Sequence, residues 1–327
     1  YHGAPLSIVA IDSALVGPFD LGVVVVRSAI RIDPRTAQAS IDSSGSDPIP
    51  HLLKGIPLHL RDIRVYVDRP GFMTTPTSCD VLQTTSLLTD AGSDPFDPAD
   101  DGSATSGDRY QLLGCSALGF KPGLAFRLRG STRHGAFPAL QATYTPRVGD
   151  ANLREIAVTM PHSLFLAQEH IDQVCTRAQF GAGVCPPGSV YGSARAVTPL
   201  LGEPLEGPVY LRSSSHALPD LVADLHGRGV EIEVPGRIDS DRGGIRASFD
   251  SLPDAPVTSF TMSLFGGKRG LLAVAEDPCA PARRASGRLV AQSNASAILT
   301  PRVRARCGKA SHRRRKGKGR RGHGGSR

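Results

Sequence analysis

The 327-residue sequence predicts an all-β protein: tandem antiparallel β-sandwich repeats of immunoglobulin-like type, with one short helix and a disordered basic C-terminal tail. Three observations carry that reading. Short apolar runs alternate with period two, the pattern of strands with one buried face. Gly (36) and Pro (26) make close to a fifth of the chain and fall between those runs as turn signals. Finally, the end of the chain echoes its beginning. Gly22-Val23, Arg31-Ile32-Asp33, Ala39-Ser40-Ile41-Asp42-Ser43, Asp47-Pro48 and Cys79 stand in order in the first stretch. Gly229-Val230, Arg237-Ile238-Asp239, Ala247-Ser248-Phe249-Asp250-Ser251, Asp254, Pro256 and Cys279 stand in the same order in the second.

Taken along the chain, Leu58, Leu60, Ile63, Val65 and Val67 predict a strand with a bulge at Arg61-Asp62. Leu124, Phe126 and Leu128 predict another, followed by Ile156, Val158 and Met160. Val230, Ile232 and Val234, then Ile245, Ala247 and Phe249, then Phe260, Met262 and Leu264 complete the set. Asp33-Pro34, Pro70-Gly71, Gly243-Gly244 and Gly266-Gly267 separate these strands, so sheets packed face to face are expected. Residues 163–180 read as helix, with Ser163 as N-cap, Gly181 as stop and Leu164, Phe165, Ile171, Val174 and Ala178 near helical spacing. Residues 90–108 read as a polar loop, and 308–327 as a low-complexity tail unable to bury apolar surface. The expected division is 1–115 (the C-terminal portion of a first repeat), 116–184 (a sandwich with the short helix), 185–307 (a sandwich echoing the first) and 308–327. His2-Gly3-Ala4-Pro5 matches His216-Ala217-Leu218-Pro219, so the chain is expected to begin part-way through a unit.

Six cysteines permit many pairings, and the echo narrows them. If the two stretches share a fold, Cys79-Cys115 corresponds to Cys279-Cys307, which leaves Cys175-Cys185 as the third bridge. The alternative is six buried thiols. Three local bridges fit an oxidising compartment, whereas no Cys-x-x-Cys or His-x-x-x-His spacing offers a zinc site.

The net charge of +8 is concentrated in one place. Residues 308–327 hold nine Lys or Arg and no acid, so the remaining body carries 29 basic and 30 acidic residues. A uniformly basic nucleic-acid face is therefore not indicated. Arg313, Arg314, Arg315, Lys316, Arg320 and Arg321 suit anionic envelope polymers, or serve as a solubilising end; no aromatic residue interleaves with them to stack on bases. No apolar run approaches the roughly 20 residues of a spanning helix.

Chemistry-bearing residues are sparse. Asp94, Asp97, Asp100, Asp101 and Asp108 offer hard oxygens to Ca2+, but without the regular Asp-x-Asp-x-Asp-Gly spacing, so a solvated acidic loop is the favoured reading. Glu169, His170 and Asp172 are neighbours with no identifiable nucleophile. Gly114-Cys115-Ser116-Ala117 lacks the Gly-x-Ser-x-Gly of a nucleophile elbow. Gly266-Gly267-Lys268-Arg269-Gly270 lacks P-loop spacing and reads as a glycine hairpin turn with two exposed cations. His134, His162, His216 and His226 show no ligand spacing and read as turn-capping or solvent-facing. No catalytic residue and no cofactor beyond candidate Ca2+ is assigned.

Several phrases form a set: Pro57-Leu58-His59-Leu60-Arg61-Asp62-Ile63-Arg64-Val65, Asp68-Arg69-Pro70-Gly71-Phe72, Thr77-Ser78-Cys79 and Ser189-Val190-Tyr191-Gly192. Gly207-Pro208-Val209-Tyr210-Leu211-Arg212, Leu218-Pro219-Asp220-Leu221, Pro253-Asp254-Ala255-Pro256-Val257 and Gly266-Gly267-Lys268-Arg269-Gly270-Leu271-Leu272 extend it. Together they resemble a group of large secreted β-repeat proteins of high-GC Gram-positive (actinobacterial) bacteria. The resemblance implies an exported precursor, β-sandwich repeats and a basic C-terminal end, and it implies no activity. The expected function is a non-enzymatic cell-surface or extracellular structural or adhesive protein. The alternative is an extracellular carbohydrate-binding module or hydrolase using a groove between sandwiches. Against a sugar site, tryptophan is absent and Tyr66, Tyr110, Tyr144, Tyr191 and Tyr210 are scattered.

Overall fold

A computed structural model describes residues 6–58, 62–68, 70–89, 102–241, 244–276, 278 and 283–306. The molecule is mostly β, with 53% strand and 6% helical residues, so the all-β class stands. Its strands are arranged as one large curled sheet with satellites, rather than as clearly separate tandem sandwiches.

Three small sheets come first. Strands β1 (Leu6–Val16), β2 (Phe19–Ile32) and β3 (Ala39–Asp47) pair antiparallel in that order. A two-residue pair, β4 (Leu52–Leu53) with β5 (Ile56–Pro57), is followed by the hairpin β6 (Val81–Thr89) and β7 (Ser103–Gln111). The Cys79–Cys115 disulfide, with 5.6 Å between Cα atoms, closes the base of that hairpin.

The curled sheet takes its first strands from β8 (Gly123–Arg129), β9 (Ala139–Thr145) and β10 (Leu153–Thr159). A short β11 (Leu164–Leu166) follows outside it, and then β12 (Val190–Val197), β13 (Leu205–Arg212) and β14 (Asp220–Gly227). Next come β15 (Val230–Asp241), β16 (Gly244–Phe249), β17 (Ser259–Leu264) and β18 (Leu272–Val274), the last pairing with β11. The chain closes with β19 (Ser286–Ala291), β20 (Ser296–Leu299) and β21 (Val303–Arg304). Across the sheet the order is β20-β19-β10-β16-β15-β14-β13-β12-β17-β9-β8-β21. Strands from before and after position 185 thus share one sheet, and every pairing but β21 with β8 is antiparallel.

The curl has a visible cause in β15. From Val230 to Gly236 it pairs with β14, and from Arg237 to Asp241 with β16. Turning from one neighbour to the other brings β10, β16 and β19 over the inner face of β8, β9 and β17. Period-two patterning then does its ordinary work: Phe126 and Leu128 are buried while Arg127 and Arg129 face out. Tyr144, Ile156 and Leu289 form the core where the two halves meet. In β14, Leu221, Val222 and Ala223 are consecutive and all buried, so this central strand is covered on both faces.

The hairpins β2–β3 and β15–β16 share a register at the echoed residues. Arg31 faces Ser40 and Ile32 faces Ala39, as Arg237 faces Ser248 and Ile238 faces Ala247.

Four local expectations are corrected. Residues 62–68 form no strand, and Ile63, Val65 and Val67 are exposed; alternation alone does not make a strand where no ladder partner or core is offered. Residues 163–180 are not one helix: they hold β11, a 3-10 turn at Gln168–His170 and only then α1 (Arg177–Gly181). Its N-cap is Thr176, in a capping box with Gln179, and not Ser163, which is wholly buried. The Cys175 N–H donates to the Leu211 carbonyl and the Cys175–Cys185 disulfide holds the segment, which keeps the chain off helical geometry. The polar loop is shorter than expected, because Ser103–Gln111 is strand β7 and Asp108 lies within it opposite Thr84. Gly266 to Gly270 is a 3-10 turn between strands that do not pair, and not a hairpin turn.

A carboxylate fastens the disulfide-closed hairpin to the sheet. Asp254 accepts from the Thr77 and Ser78 N–H groups at 2.7 and 2.9 Å, and from the Thr77 hydroxyl and Asn152 Nδ2, each at 2.8 Å. A second tie joins the β2–β3 turn to β15, where the Glu233 N–H donates to the Pro34 carbonyl at 2.8 Å.

Candidate functional site

The inner wall of the curl does not close on itself. A cleft of about 2110 Å³ runs between it and the first strands. Leu124 and Phe126 of β8, Tyr144 of β9, Ile156 of β10, Phe249 of β16 and Phe260 of β17 form its inner wall. Ile41, Phe72 and Leu88 line it from the other side, with Thr84, Thr85 and Ser86 of β6. Each inner-wall residue holds the inward position of its strand, and register aligns them: Leu124 opposes Tyr144, and Tyr144 opposes Phe260.

Tyr144 is the polar exception in this wall. It is 7% exposed, and its hydroxyl has no hydrogen-bond partner among the described residues. Burial, with a smaller contribution from the Asp150 charge, pushes its phenol up to about 12, so it stays a neutral O–H donor at any physiological pH. Asp150 itself is placed by the turn after β9. Burial pushes its carboxyl up, yet the Lys121 N–H at 2.6 Å and the Arg147 guanidinium at 2.6 Å outweigh burial and hold it below the ordinary value.

The outer face of the same sheet is polar. Arg212 of β13 lies 3.5 Å from Asp220 and 3.9 Å from Glu233, all three largely buried. His216 Nε2 bonds Asp220 at 2.9 Å, and Arg35 reaches Glu233 at 3.4 Å. Further along, Asp224, His226 and Glu231 bring three ligand-type atoms within 4.8 Å of one another, a grouping able to accept a divalent cation. Histidine spacing alone misses this grouping. The signal was Asp-x-His followed by Glu across the Arg228-Gly229 turn, which sets His226 opposite Glu231.

The sequence-derived candidates are dispersed. Asp94, Asp97, Asp100, Asp101, Cys279, Cys307 and the tail residues Arg313, Arg314, Arg315, Lys316, Arg320 and Arg321 lie outside the described residues. Asp108 is an exposed strand residue. His170 Nδ1 is 2.9 Å from the Gly270 carbonyl, and the Asp172 N–H donates to the Tyr191 hydroxyl, so these two fasten a loop to the sheet. His134 likewise contacts the Ala275 carbonyl at 2.7 Å. Arg269 donates to the carbonyls of Pro187, Gly188 and Val190 and lies over the Tyr191 and Phe265 rings, which leaves Lys268 as the cation presented to solvent by that turn.

Comparison with family models, with curated protein sequences and with solved structures finds no match.

Proposed function

We propose that this chain is an exported, non-enzymatic β-protein of the cell surface or extracellular space, structural or adhesive in role. The observation that carries the reading is the pair of disulfides, Cys79–Cys115 and Cys175–Cys185, since such bridges persist in oxidising compartments. No helix among the described residues is long and apolar enough to cross a membrane. A tandem immunoglobulin-like organisation, with Cys279-Cys307 as the counterpart of Cys79–Cys115, belongs to the same reading; the sequence echo and the equal hairpin registers support it. The tail, through Arg313 to Lys316 and Arg320-Arg321, contacts anionic envelope polymers. Thiol counting under denaturing, non-reducing conditions tests export, and six free thiols reject it. Equal binding to purified cell wall by the full chain and by a chain ending at residue 307 rejects the anchoring role.

A second reading, an extracellular ligand-binding module, is favoured by the cleft. Its inner-wall rings, Tyr144, Phe249 and Phe260, pack into the core with aliphatic side chains, which disfavours them as stacking platforms for a sugar.

A further inference from the structure

We infer that a second, smaller pocket binds the phosphate group of a phosphodiester polymer, so that the folded body as well as the tail contacts anionic envelope polymers. This deepens the envelope-contact reading and rests on it. The pocket lies where β8 ends, β9 begins and β17 ends, beside the Gly266 to Gly270 turn. Its volume of about 470 Å³ falls within the roughly 300–1,000 Å³ of sites for compact ligands.

Charge is the first argument. Arg129, Lys268 and Arg269 line the pocket and no acidic residue does. Strands β8, β9 and β17 and the turn contain no Asp or Glu at all. Residues 1–307 carry 29 basic and 30 acidic residues, so this is local arrangement and not composition. On β12 and β13 of the same sheet the arginines are neutralised: Arg195 lies 2.6 Å from Glu206, and Arg212 lies 3.5 Å from Asp220. Among the described residues no carboxylate pairs with Arg129, Lys268 or Arg269. The other side chains lining the pocket include Leu140, Leu264 and Phe265, and cations beside apolar walls concentrate anions.

The donor set is the second argument. Arg129 Nη2 donates to Gln141 Oε1 at 3.2 Å, which leaves the Gln141 amide N–H groups to donate elsewhere. Register puts Ser263 opposite Gln141, and both line the pocket. Lys268 is exposed, while the carbonyls of Pro187, Gly188 and Val190 hold Arg269 in place. Guanidinium, ammonium, amide and hydroxyl donors therefore come from three strands and a turn. A tetrahedral oxyanion accepts from several directions at once, whereas one guanidinium fork serves a planar carboxylate. Extent is the third argument. Arg127 is exposed on the same side of β8 as Arg129, about 7 Å back along the strand. A polymer with a phosphate on each unit reaches from the pocket to Arg127.

Fluorescence anisotropy of labelled poly(glycerol phosphate) with the full chain tests the assignment, with polygalacturonate as the carboxylate polymer. Two backgrounds are compared: the natural tail, and a tail with Arg313, Arg314, Arg315, Lys316, Arg320 and Arg321 all replaced by Gln. In the second, Arg129→Ala with Lys268→Ala is expected to weaken binding of the phosphate polymer about tenfold, and Lys268→Ala alone about threefold. Arg246→Ala with Arg288→Ala removes the same charge from exposed positions on β16 and β19, and is expected to change binding by less than about twofold. Equal loss in both double variants overturns the proposal, as does polygalacturonate binding the neutral-tail chain as tightly as the phosphate polymer. If only the natural-tail chain binds the phosphate polymer, the pocket assignment falls and the tail reading stands. Full binding by the neutral-tail chain rejects the tail reading and supports the pocket, and a natural chain that binds neither polymer removes both.

Discussion

The sheet β1–β2–β3 and the run β14–β15–β16 are built from echoing sequence in matching registers, yet solvent treats them differently. In the first, Ile11 is 68% exposed and Val23 63%; in the second, Val222 and Ala223 are wholly buried. The pairing is the same, with Ile32 against Ala39 and Ile238 against Ala247. What differs is the company. β14 has β13 along its other edge and the segment around α1 above its outer face, while β1 has no second neighbour among the described residues. Strand pairing is a local property of two stretches of sequence. Burial belongs to whatever the rest of the chain brings to their faces.

Truncating matched positions puts the largest effect on that contrast. Leu225→Ala in β14 should cost about 2–5 kcal/mol in chemical denaturation, whereas Ile11→Ala in β1 should stay within about 0.5 kcal/mol. Similar costs at both sites would mean that the first sheet is as tightly packed as the second. Next in size is the fastening of the disulfide-closed β6–β7 hairpin to the curled sheet. Asp254→Ala leaves the Thr77 and Ser78 N–H groups and Asn152 without their acceptor and should cost about 2–3 kcal/mol. Proteolysis should then cut first around 76–80, and unchanged protection there would show that the disulfide alone holds the hairpin.

A smaller test concerns how each hairpin fills one cross-strand position. Ile30 faces Ile41 in the first. In the second, a Cβ at Gly236 would sit 2.3 Å from Phe249 Cε1, so the ring occupies the space a side chain would need. Gly236→Ala should therefore cost about 1–3 kcal/mol by overpacking, and combining it with Phe249→Ile should recover part of that loss. The smallest effect is acidic. Asp33 is held below the ordinary value of 3.8 chiefly by the Thr36 N–H, and Asp42 chiefly by the Ser44 hydroxyl. The stability they give the first hairpin is present above 3.8 and fades as pH falls through their lowered values. Pepsin cleavage within 33–44 should rise over that window, and a flat profile would detach the turn from both carboxylates.

Strands with a buried face were partly legible in the sequence: β8, β15, β16 and β17 each contain the alternating triplet that predicts them, and β10 contains all of its triplet but Met160. β6 and β7 were not legible, since a hairpin exposed on both faces has no apolar period to read. Residues 62–68 misled for the opposite reason, having a period and no surface to satisfy it. The cleft was invisible because its wall draws single residues from strands more than a hundred positions apart, and only the curl gathers them. Tyr144 looked like one scattered tyrosine until its hydroxyl proved to lack a partner.

The disulfide at the base of β6–β7 also has a mechanical meaning. Cys79 and Cys115 are 36 residues apart along the chain but 5.6 Å apart at their Cα atoms. Tension applied along the polypeptide passes through the sulfurs and skips the hairpin, so the loop carries no load. Reduction would make about 120 Å of slack available once the β6–β7 pairing opens. A pulled molecule of this kind has its extensible length set by redox state, and the hairpin is its stored reserve.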